Sequence, residues 1–168
     1  LRNMPVFSII VAVAENNIIG LKGDMPWLKL KSDLKYFKQK TTGHWCILGR
    51  KTYNALGNKV LPGRKFIIVT RDTDFIAEDS LVVHALDAAK NHVVLEDEEE
   101  VFVLGGGDIY KQSMHFVNRI YLTRIHATFE GDTQFPELGP EWNLVAEDKR
   151  YIDEVNPHDH DFLIYEKN

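Results

Sequence analysis

The chain has 168 residues, 44% of them hydrophobic and 27% charged, which is the composition of one compact domain with a well-filled core. The formal net charge of -5 argues against general binding to nucleic acids or anionic membranes, because both require a basic face. A single cysteine, Cys46, excludes a disulfide framework and a thiolate zinc site, and it favours a reducing, cytoplasmic location.

The first apolar run, residues 6–14, has two interpretations. A basic residue before it and small residues at its end are features of a signal peptide. The run is rich in β-branched residues and ends at a turn-forming Glu-Asn-Asn sequence, so a buried first strand is the better interpretation. Met4 is a candidate native start, with residues 1–3 as an addition before it.

Short apolar runs rich in β-branched residues predict six strands, at residues 6–14, 45–48, 66–70, 81–84, 101–104 and 120–125. Helical patterns lie between several of them, at residues 32–40, from residue 51, and at residues 86–93. This alternation predicts an α/β fold with a mostly parallel sheet. The last two segments, residues 143–151 and 161–166, predict an antiparallel hairpin at one edge.

Two other motifs have some features of ion sites. Residues 96–100, EDEEE, are a block of like charge, for which a solvated loop before a buried strand is the expected structure. His158 and His160 have a spacing that can hold a metal, but two histidines beside a turn without further ligands more often lie in solvent. We therefore predict no metal site.

Two strand ends have features of an anion-binding site. Residues 49–52, GRKT, follow one strand and open a helix, which places backbone N–H groups and two cations together. Residues 105–107, GGG, follow another strand, and three glycines forfeit backbone entropy where one would make the turn. A tight turn explains the glycines taken alone. Together the two ends predict a pyrophosphate held between them, and Arg71, a third cation that follows another strand, predicts a site for a further phosphate.

Asp33 begins a predicted helix, where a carboxylate most simply caps the helix or complements its dipole. The preceding loop, residues 20–27 (GLKGDMPW), changes that interpretation. Met25 and Trp27 are too apolar for a plain surface loop, while the glycines and the proline prevent regular structure. We interpret the loop as a lid over a site that contains Asp33.

Eight motifs occur in a specific order: the first strand with Ala12, then IIGLKGDMPW, DLKYFK, ILGRKTY, LPGRKFIIVTR, VLGGGDIY, IYLTRI and EGDTQFP. From about residue 6 to the C-terminus, the chain closely resembles bacterial dihydrofolate reductases. The resemblance implies a single domain over residues 1–168, with a mostly parallel eight-stranded sheet, an antiparallel C-terminal hairpin and about four flanking helices. It also implies a monomeric cytoplasmic enzyme of one-carbon metabolism that binds antifolate inhibitors.

The resemblance implies NADPH as the hydride donor and 7,8-dihydrofolate as the acceptor. Asp33 would accept two hydrogen bonds from the pterin, Thr123 would donate to that carboxylate, and Arg64 would hold the carboxylate of the glutamate tail. The catalytic candidates are Asp33, Met25, Trp27 and Thr123. The substrate-binding candidates are Ile10, Asp33, Leu34, Phe37, Leu56, Leu61, Arg64 and Thr123.

On the cofactor side, the resemblance places the nicotinamide at the backbone of Ala12 and Ile19, and the pyrophosphate at Thr52 and the glycines. It also implies a cis peptide between Gly105 and Gly106, packed against the cofactor. The cofactor-binding candidates are Ala12, Ile19, Gly49, Arg50, Lys51, Thr52, Thr70, Arg71, Leu104, Gly105, Gly106, Gly107, Asp108, Ile109 and Tyr110.

Two features depart from the family pattern. Asp33 lies six residues after Trp27, where many bacterial relatives have five, and Asp108 places an anion where some carry arginine. These departures bear on the shape of the lid and on cofactor affinity. Two other functions stay open: a pyrimidine reductase of riboflavin synthesis, which shares the fold and the nucleotide, and a nucleotide-binding regulatory module without catalysis.

Overall fold

A computed structural model describes residues 4–27 and 29–168. The expectation for residues 1–3 therefore lies outside the described residues. The elements of the described part follow the order β1 (Val6–Ala14), β2 (Ile18–Gly20), α1 (Lys31–Thr41), β3 (Trp45–Gly49), α2 (Arg50–Ala55), β4 (Lys65–Val69), β5 (Leu81–Val83), α3 (Leu86–Leu95), β6 (Glu100–Gly105), α4 (Gly107–Ser113), β7 (Arg119–Ile125), β8 (Thr133–Gln134), β9 (Trp142–Arg150) and β10 (His160–Lys167).

Eight of these strands form one sheet in the order β5-β4-β3-β6-β1-β7-β10-β9. The first six strands in this order are parallel, whereas β10 runs antiparallel to both β7 and β9. The predicted α/β class, the mostly parallel sheet and the C-terminal hairpin are confirmed. The two short strands β2 and β8, which the sequence patterns did not indicate, pair separately from the main sheet.

The central strands are buried on both faces, as their continuous apolar sequences require. Alternate residues of β1 and β6 enter different clusters: Ile9 and Val103 pack on one face, and Ile10 and Phe102 pack on the other. Each face is therefore covered with apolar side chains, and the cores hold β1 and β6 at the centre of the sheet. A rigid sheet centre fixes whatever projects from the ends of these two strands.

The ends of β1 and β6 lie where the chain connections diverge. After β1 the chain crosses to β3 beyond β6, and after β6 it crosses to β7 on the far side of β1. Such a reversal of strand order opens a crevice at the carboxyl ends of the two strands. The Tyr110 hydroxyl bridges the crevice floor, lying 2.8 Å from the carbonyl oxygens of both Ile10 and Leu104.

Glu100 corrects the expectation of a solvated acidic loop. It begins β6, and its Oε2 atom accepts hydrogen bonds from Ser8 Oγ at 2.6 Å, Tyr121 hydroxyl at 2.8 Å and Arg119 Nη1 at 3.0 Å. Its side chain is only 17% exposed. A carboxylate is tolerated in a strand at this position because three donors from β1 and β7 converge on it.

His160 corrects the expectation that both C-terminal histidines lie in solvent. Its side chain is fully buried beside Phe162, and its Nδ1 atom lies 2.9 Å from the carbonyl oxygen of His158. Within residues 4–27 and 29–168, no group of histidine, cysteine and acidic residues is arranged to hold a metal ion. No helix of this part of the chain is long and apolar enough to cross a membrane.

His126, which follows β7, connects the segment after β1 with the start of β10. Its Nδ1 atom hydrogen-bonds the Glu15 carboxylate, and its Nε2 atom lies 2.9 Å from Oδ2 of Asp161. Burial lowers the pKa of His126, but the bonds to the two carboxylates outweigh burial, so that the pKa is raised. The imidazole therefore gains its charge more readily in the folded chain than in the unfolded chain.

A raised pKa means that His126 stabilises the fold most at low pH. The contribution is complete below the pKa of an unfolded histidine and is lost as pH rises through the raised value. We expect His126→Gln to lower the free energy of unfolding by on the order of 0.5–1 kcal/mol at mildly acidic pH, because partly exposed ion pairs contribute little. Urea unfolding of both proteins across pH measures the gap, which should narrow in alkaline buffer; a gap that widens there contradicts the assignment.

Candidate active site

A cavity of about 360 Å³ opens at the carboxyl ends of β1 and β6. Fourteen of the sequence-predicted site residues line it: Ile10, Ala12, Ile19, Met25, Asp33, Leu34, Phe37, Lys51, Thr52, Leu56, Leu104, Gly106, Gly107 and Tyr110. Among the described residues, six others also line it: Val11, Gly20, Gly23, Asp24, Ala55 and Thr133. Thr133 belongs to the EGDTQFP motif, which identified the segment without indicating that this side chain reaches the cavity.

Asp33 supplies a carboxylate to an otherwise apolar part of the cavity. It lies in the first turn of α1, where it does not cap the helix, and its Oδ1 accepts a 2.7 Å hydrogen bond from Thr123 Oγ1. Burial raises the pKa of Asp33, and the Thr123 bond and the nearby His160 oppose this rise only in part. Thr123, buried in β7, thus fixes one carboxylate oxygen and leaves the other available to a ligand.

Three consecutive glycines lie at the end of β6, and two of them, Gly106 and Gly107, form the opposite wall of the cavity. Gly105 has φ +117°, and a Cβ there would lie 3.1 Å from the Tyr110 ring. A Cβ on Gly106 would lie 3.4 Å from Thr52 Oγ1, and one on Gly107 would lie 2.5 Å from Thr133 Cγ2. The peptide between Gly105 and Gly106 is cis, as the resemblance implied. The missing side chains keep this backbone open to the cavity.

Comparison with known proteins agrees with this geometry. The sequence profile of the family described as Dihydrofolate reductase matches residues 6–167. The dihydrofolate reductase of Staphylococcus haemolyticus is 43% identical over 161 residues, 95% of each chain, and that of Bacillus subtilis is 41% identical over 163 residues, 96% of this chain and 95% of its own. The chain belongs to the dihydrofolate reductase family.

A solved structure extends the agreement to three dimensions. It is described as dihydrofolate reductase from Enterococcus faecalis complexed with NADP(H) and RAB-propyl. The two chains superpose with a TM-score of 0.91 at 36% identity, covering 100% of this chain and 99% of the other. The fold of this chain therefore matches that of the solved structure over its whole length.

The residues predicted to contact the aromatic parts of the substrate divide into two groups. Leu34, Phe37 and Leu56 line the cavity, and Leu34 is 42% exposed. Leu61 does not line the cavity and packs instead against the cluster beneath α1. A ligand in the cavity would cover the exposed surface of Leu34.

Arg64 lies outside the cavity lining and is only 8% exposed. Its Nε donates to the Pro62 carbonyl at 3.0 Å and its Nη1 donates to Thr41 Oγ1 at 3.2 Å, while burial lowers its pKa. These bonds use two of the five guanidinium N–H groups and hold the planar fork in one orientation. The carboxylate-binding role of Arg64 stays a prediction.

Two cofactor candidates after the glycines, Asp108 and Ile109, lie outside the cavity lining, and their cofactor-binding role stays a prediction. Asp108 is exposed, accepts a 2.8 Å hydrogen bond from Gln112 Nε2 and does not line the cavity. Ile109 packs into the main core beneath the sheet. Helix α4 turns these two side chains away from the crevice, whereas Tyr110 faces it. The anion at Asp108 is therefore not part of the cavity wall.

Five other cofactor candidates lie at the rim of the sheet. Gly49 and Gly105 contribute backbone near the crevice, although neither lines the cavity. Arg50 follows β3, and Thr70 with Arg71 follows β4, so the pairing of Gly49 with Val69 brings these side chains to one edge. This edge lies beside Lys51 and Thr52, which do line the cavity.

The loop predicted to be a lid contributes Gly20, Gly23, Asp24 and Met25 to the cavity wall. Met25 is 42% exposed, whereas Trp27 is buried against Phe129 with ring centroids 5.6 Å apart. Trp27 therefore anchors one end of the loop and does not line the cavity, and its predicted catalytic role stays a prediction. The catalytic role predicted for Met25 stays a prediction.

Proposed function

We propose that this chain reduces 7,8-dihydrofolate to 5,6,7,8-tetrahydrofolate with NADPH as the hydride donor. The observation that carries the proposal is the Asp33 carboxylate, held by Thr123 inside a cavity whose opposite wall is open glycine backbone. A pterin offers a 2-amino group beside a ring N–H, and one carboxylate can accept both bonds. The glycine wall has no side chains, so a cofactor could approach its backbone closely.

The residues present fit a dinucleotide cofactor. Side chains at Gly106 and Gly107 would fill the space in front of Thr52 and Thr133, and Lys51 supplies a cation beside them. We propose that Ala12 and Ile19 meet the nicotinamide, that Thr52 and the glycines hold the pyrophosphate, and that Arg50, Thr70 and Arg71 bind the remaining phosphate. When bound, NADPH supplies the hydride that passes to C6 of the pterin.

Asp33 performs two tasks in this proposal. Its carboxylate orients the pterin ring, and its negative charge favours the substrate protonated at N5. Thr123 keeps the carboxylate in one rotamer through the 2.7 Å hydrogen bond. The proton reaches N5 by way of water admitted beneath Met25, because the carboxylate is committed to the other side of the ring.

Leu34, Phe37 and Leu56 wall the pterin and benzoyl groups in this proposal, with Ile10 beneath the ring and Leu61 and Arg64 farther along the tail. We further propose a single domain over the whole chain, acting as a cytoplasmic monomer that also binds antifolate inhibitors. The net charge of -5 and the buried, unpaired thiol of Cys46 support this setting.

A direct assay tests the proposal. The purified protein is mixed with NADPH and dihydrofolate, and absorbance at the nicotinamide band is followed. The expected result is a loss of absorbance that requires both compounds. Turnover of a pyrimidine precursor of riboflavin, with none of dihydrofolate, would instead identify the related reductase. Binding of NADPH without turnover of either substrate would identify a regulatory module.

A further inference from the structure

Arg50 is already paired with an acidic residue of its own chain. Its Nη1 lies 2.7 Å from Oδ2 of Asp72, and its guanidinium lies over the Phe75 ring at 4.4 Å from the centroid. Both side chains of the pair are less than half exposed, at 42% and 45%. The cation that the proposed function assigns to a phosphate thus has a carboxylate as its present counter-ion.

Asp72 is held in place by its surroundings. Its Oδ1 accepts a 2.9 Å hydrogen bond from the backbone N–H of Asp74, and its own N–H donates to Thr70 Oγ1 at 3.2 Å. The carboxylate therefore caps a turn with one oxygen and binds Arg50 with the other. These hydrogen bonds favour one position of the carboxylate, beside Arg50.

The pair lies where a ligand extending from the cavity would pass. Arg50 is the first residue of α2, and the next two, Lys51 and Thr52, line the cavity. Arg71 is exposed at the adjoining end of β4. Carboxylate and phosphate oxygens use the same guanidinium donors, so Asp72 and a phosphate compete for Arg50 and repel each other.

We propose that Asp72 is a specificity-determining residue. As an internal counter-ion it competes with the ribose 2′-phosphate of NADPH for Arg50, and it thereby reduces the preference of the protein for NADPH over NADH. The inference rests on the proposed function, because it places the adenosine end of the cofactor at this edge. NADH lacks the 2′-phosphate, so its binding leaves the Arg50–Asp72 pair intact.

Asp72→Asn isolates the charge. Asparagine keeps the side-chain oxygen that accepts the Asp74 N–H, so the turn is retained while the negative charge is lost. We expect NADP⁺ to bind about 3- to 10-fold more tightly to the variant, the range for removing one partly exposed charge interaction. Binding of NAD⁺ should change by less than about twofold. Isothermal titration calorimetry with both dinucleotides measures the ratio without turnover.

Asp74→Asn is the matched control, because it makes the same change in net charge two residues away. The carboxylate of Asp72, and not that of Asp74, pairs with Arg50. An equal gain in both variants would show a general charge effect and overturn the proposal. In an Arg50→Ala background the gain from Asp72→Asn should disappear, and its persistence would also count against the pairing.

Two outcomes separate this inference from the proposed function. If the wild-type chain turns over dihydrofolate normally and Asp72→Asn leaves the ratio of NADP⁺ to NAD⁺ affinity unchanged, or lowers it, the inference is overturned and the proposed function stands. A wild-type chain that binds neither dinucleotide overturns both. The inference is supported if the variant binds NADP⁺ more tightly than wild type and if this affinity falls more steeply with added salt. The steeper fall is expected because more unopposed cationic charge then meets the phosphate.

Discussion

Asp33→Asn is expected to lower turnover at neutral pH by about two to four decades, the range for losing acid–base assistance. Asparagine keeps the shape of the side chain and can still accept the Thr123 hydrogen bond, but it has no charge to favour a protonated pterin. Asp33 is buried, which raises its pKa and also weakens the screening of its charge by water. The loss of this charge should therefore have a large effect on the rate. Steady-state rates at saturating substrates measure the effect.

The pH dependence gives a sharper test of the same residue. As pH falls, dihydrofolate is increasingly protonated in solution, so the asparagine variant should regain activity. Wild type should gain less, because its raised pKa means that Asp33 itself begins to lose charge on acidification. A variant within about twofold of wild type at pH 7 would remove Asp33 from catalysis.

Asp24→Asn provides the control for charge at the cavity. Asp24 also lines the cavity, but its Oδ1 accepts a hydrogen bond from the adjacent N–H of Met25, a role that asparagine preserves. We expect its effect on turnover to be far smaller than that of Asp33→Asn. Comparable losses in the two variants would mean that total charge at the cavity, rather than the position of Asp33, governs the rate.

Glu100→Ala is expected to destabilise the fold by about 2–4 kcal/mol, because it leaves a partly buried arginine and two hydroxyl groups without their shared acceptor. Arg119 retains Glu166 at 3.0 Å, which keeps the loss below that of a fully buried, isolated charge. The Ser8 and Tyr121 hydroxyls retain no carboxylate at this position. Urea unfolding at neutral pH measures the change in free energy.

Neighbouring Glu99 supplies the control for Glu100. Glu99 is exposed, and its backbone carbonyl, which alanine preserves, accepts the N–H of Val6. Glu99→Ala should therefore change stability by no more than about 0.5 kcal/mol. Glu100→Gln, which keeps an acceptor oxygen but loses the charge, should fall between the two. Equal effects at both positions would show that the converging donors do not contribute.

The sequence predicted the parts of the fold that local pattern determines. Continuous apolar runs identified β1, β3, β4 and β6, because a strand buried on both faces needs such a run. Strands β2 and β8 have three and two residues, too few for any periodicity to emerge. The two strands are far apart in sequence, so their pairing depends on tertiary packing that a local sequence pattern does not indicate.

In the candidate site, too, the sequence indicated residues within distinctive segments and missed contacts between segments that are remote in sequence. Local composition singled out Asp33 and the glycines, whereas Thr123 was assigned only by the resemblance to the family. The charge of Glu100 was assigned to solvent because its donors come from β1 and β7, which are remote in sequence. Asp72 has the sequence context of an ordinary turn residue, because its contact with Arg50 is formed only in the folded chain.

The strand order also governs when the active site can first exist during synthesis of the chain. Asp33 and Thr123 are 90 residues apart, and β6 with its glycines must insert between β3 and β1 before the crevice has two walls. A ribosome-bound chain that has not yet released β7 therefore has no complete cavity. Ligands of the cavity bind the finished fold alone, and in the cell they would draw newly made chains toward it by mass action.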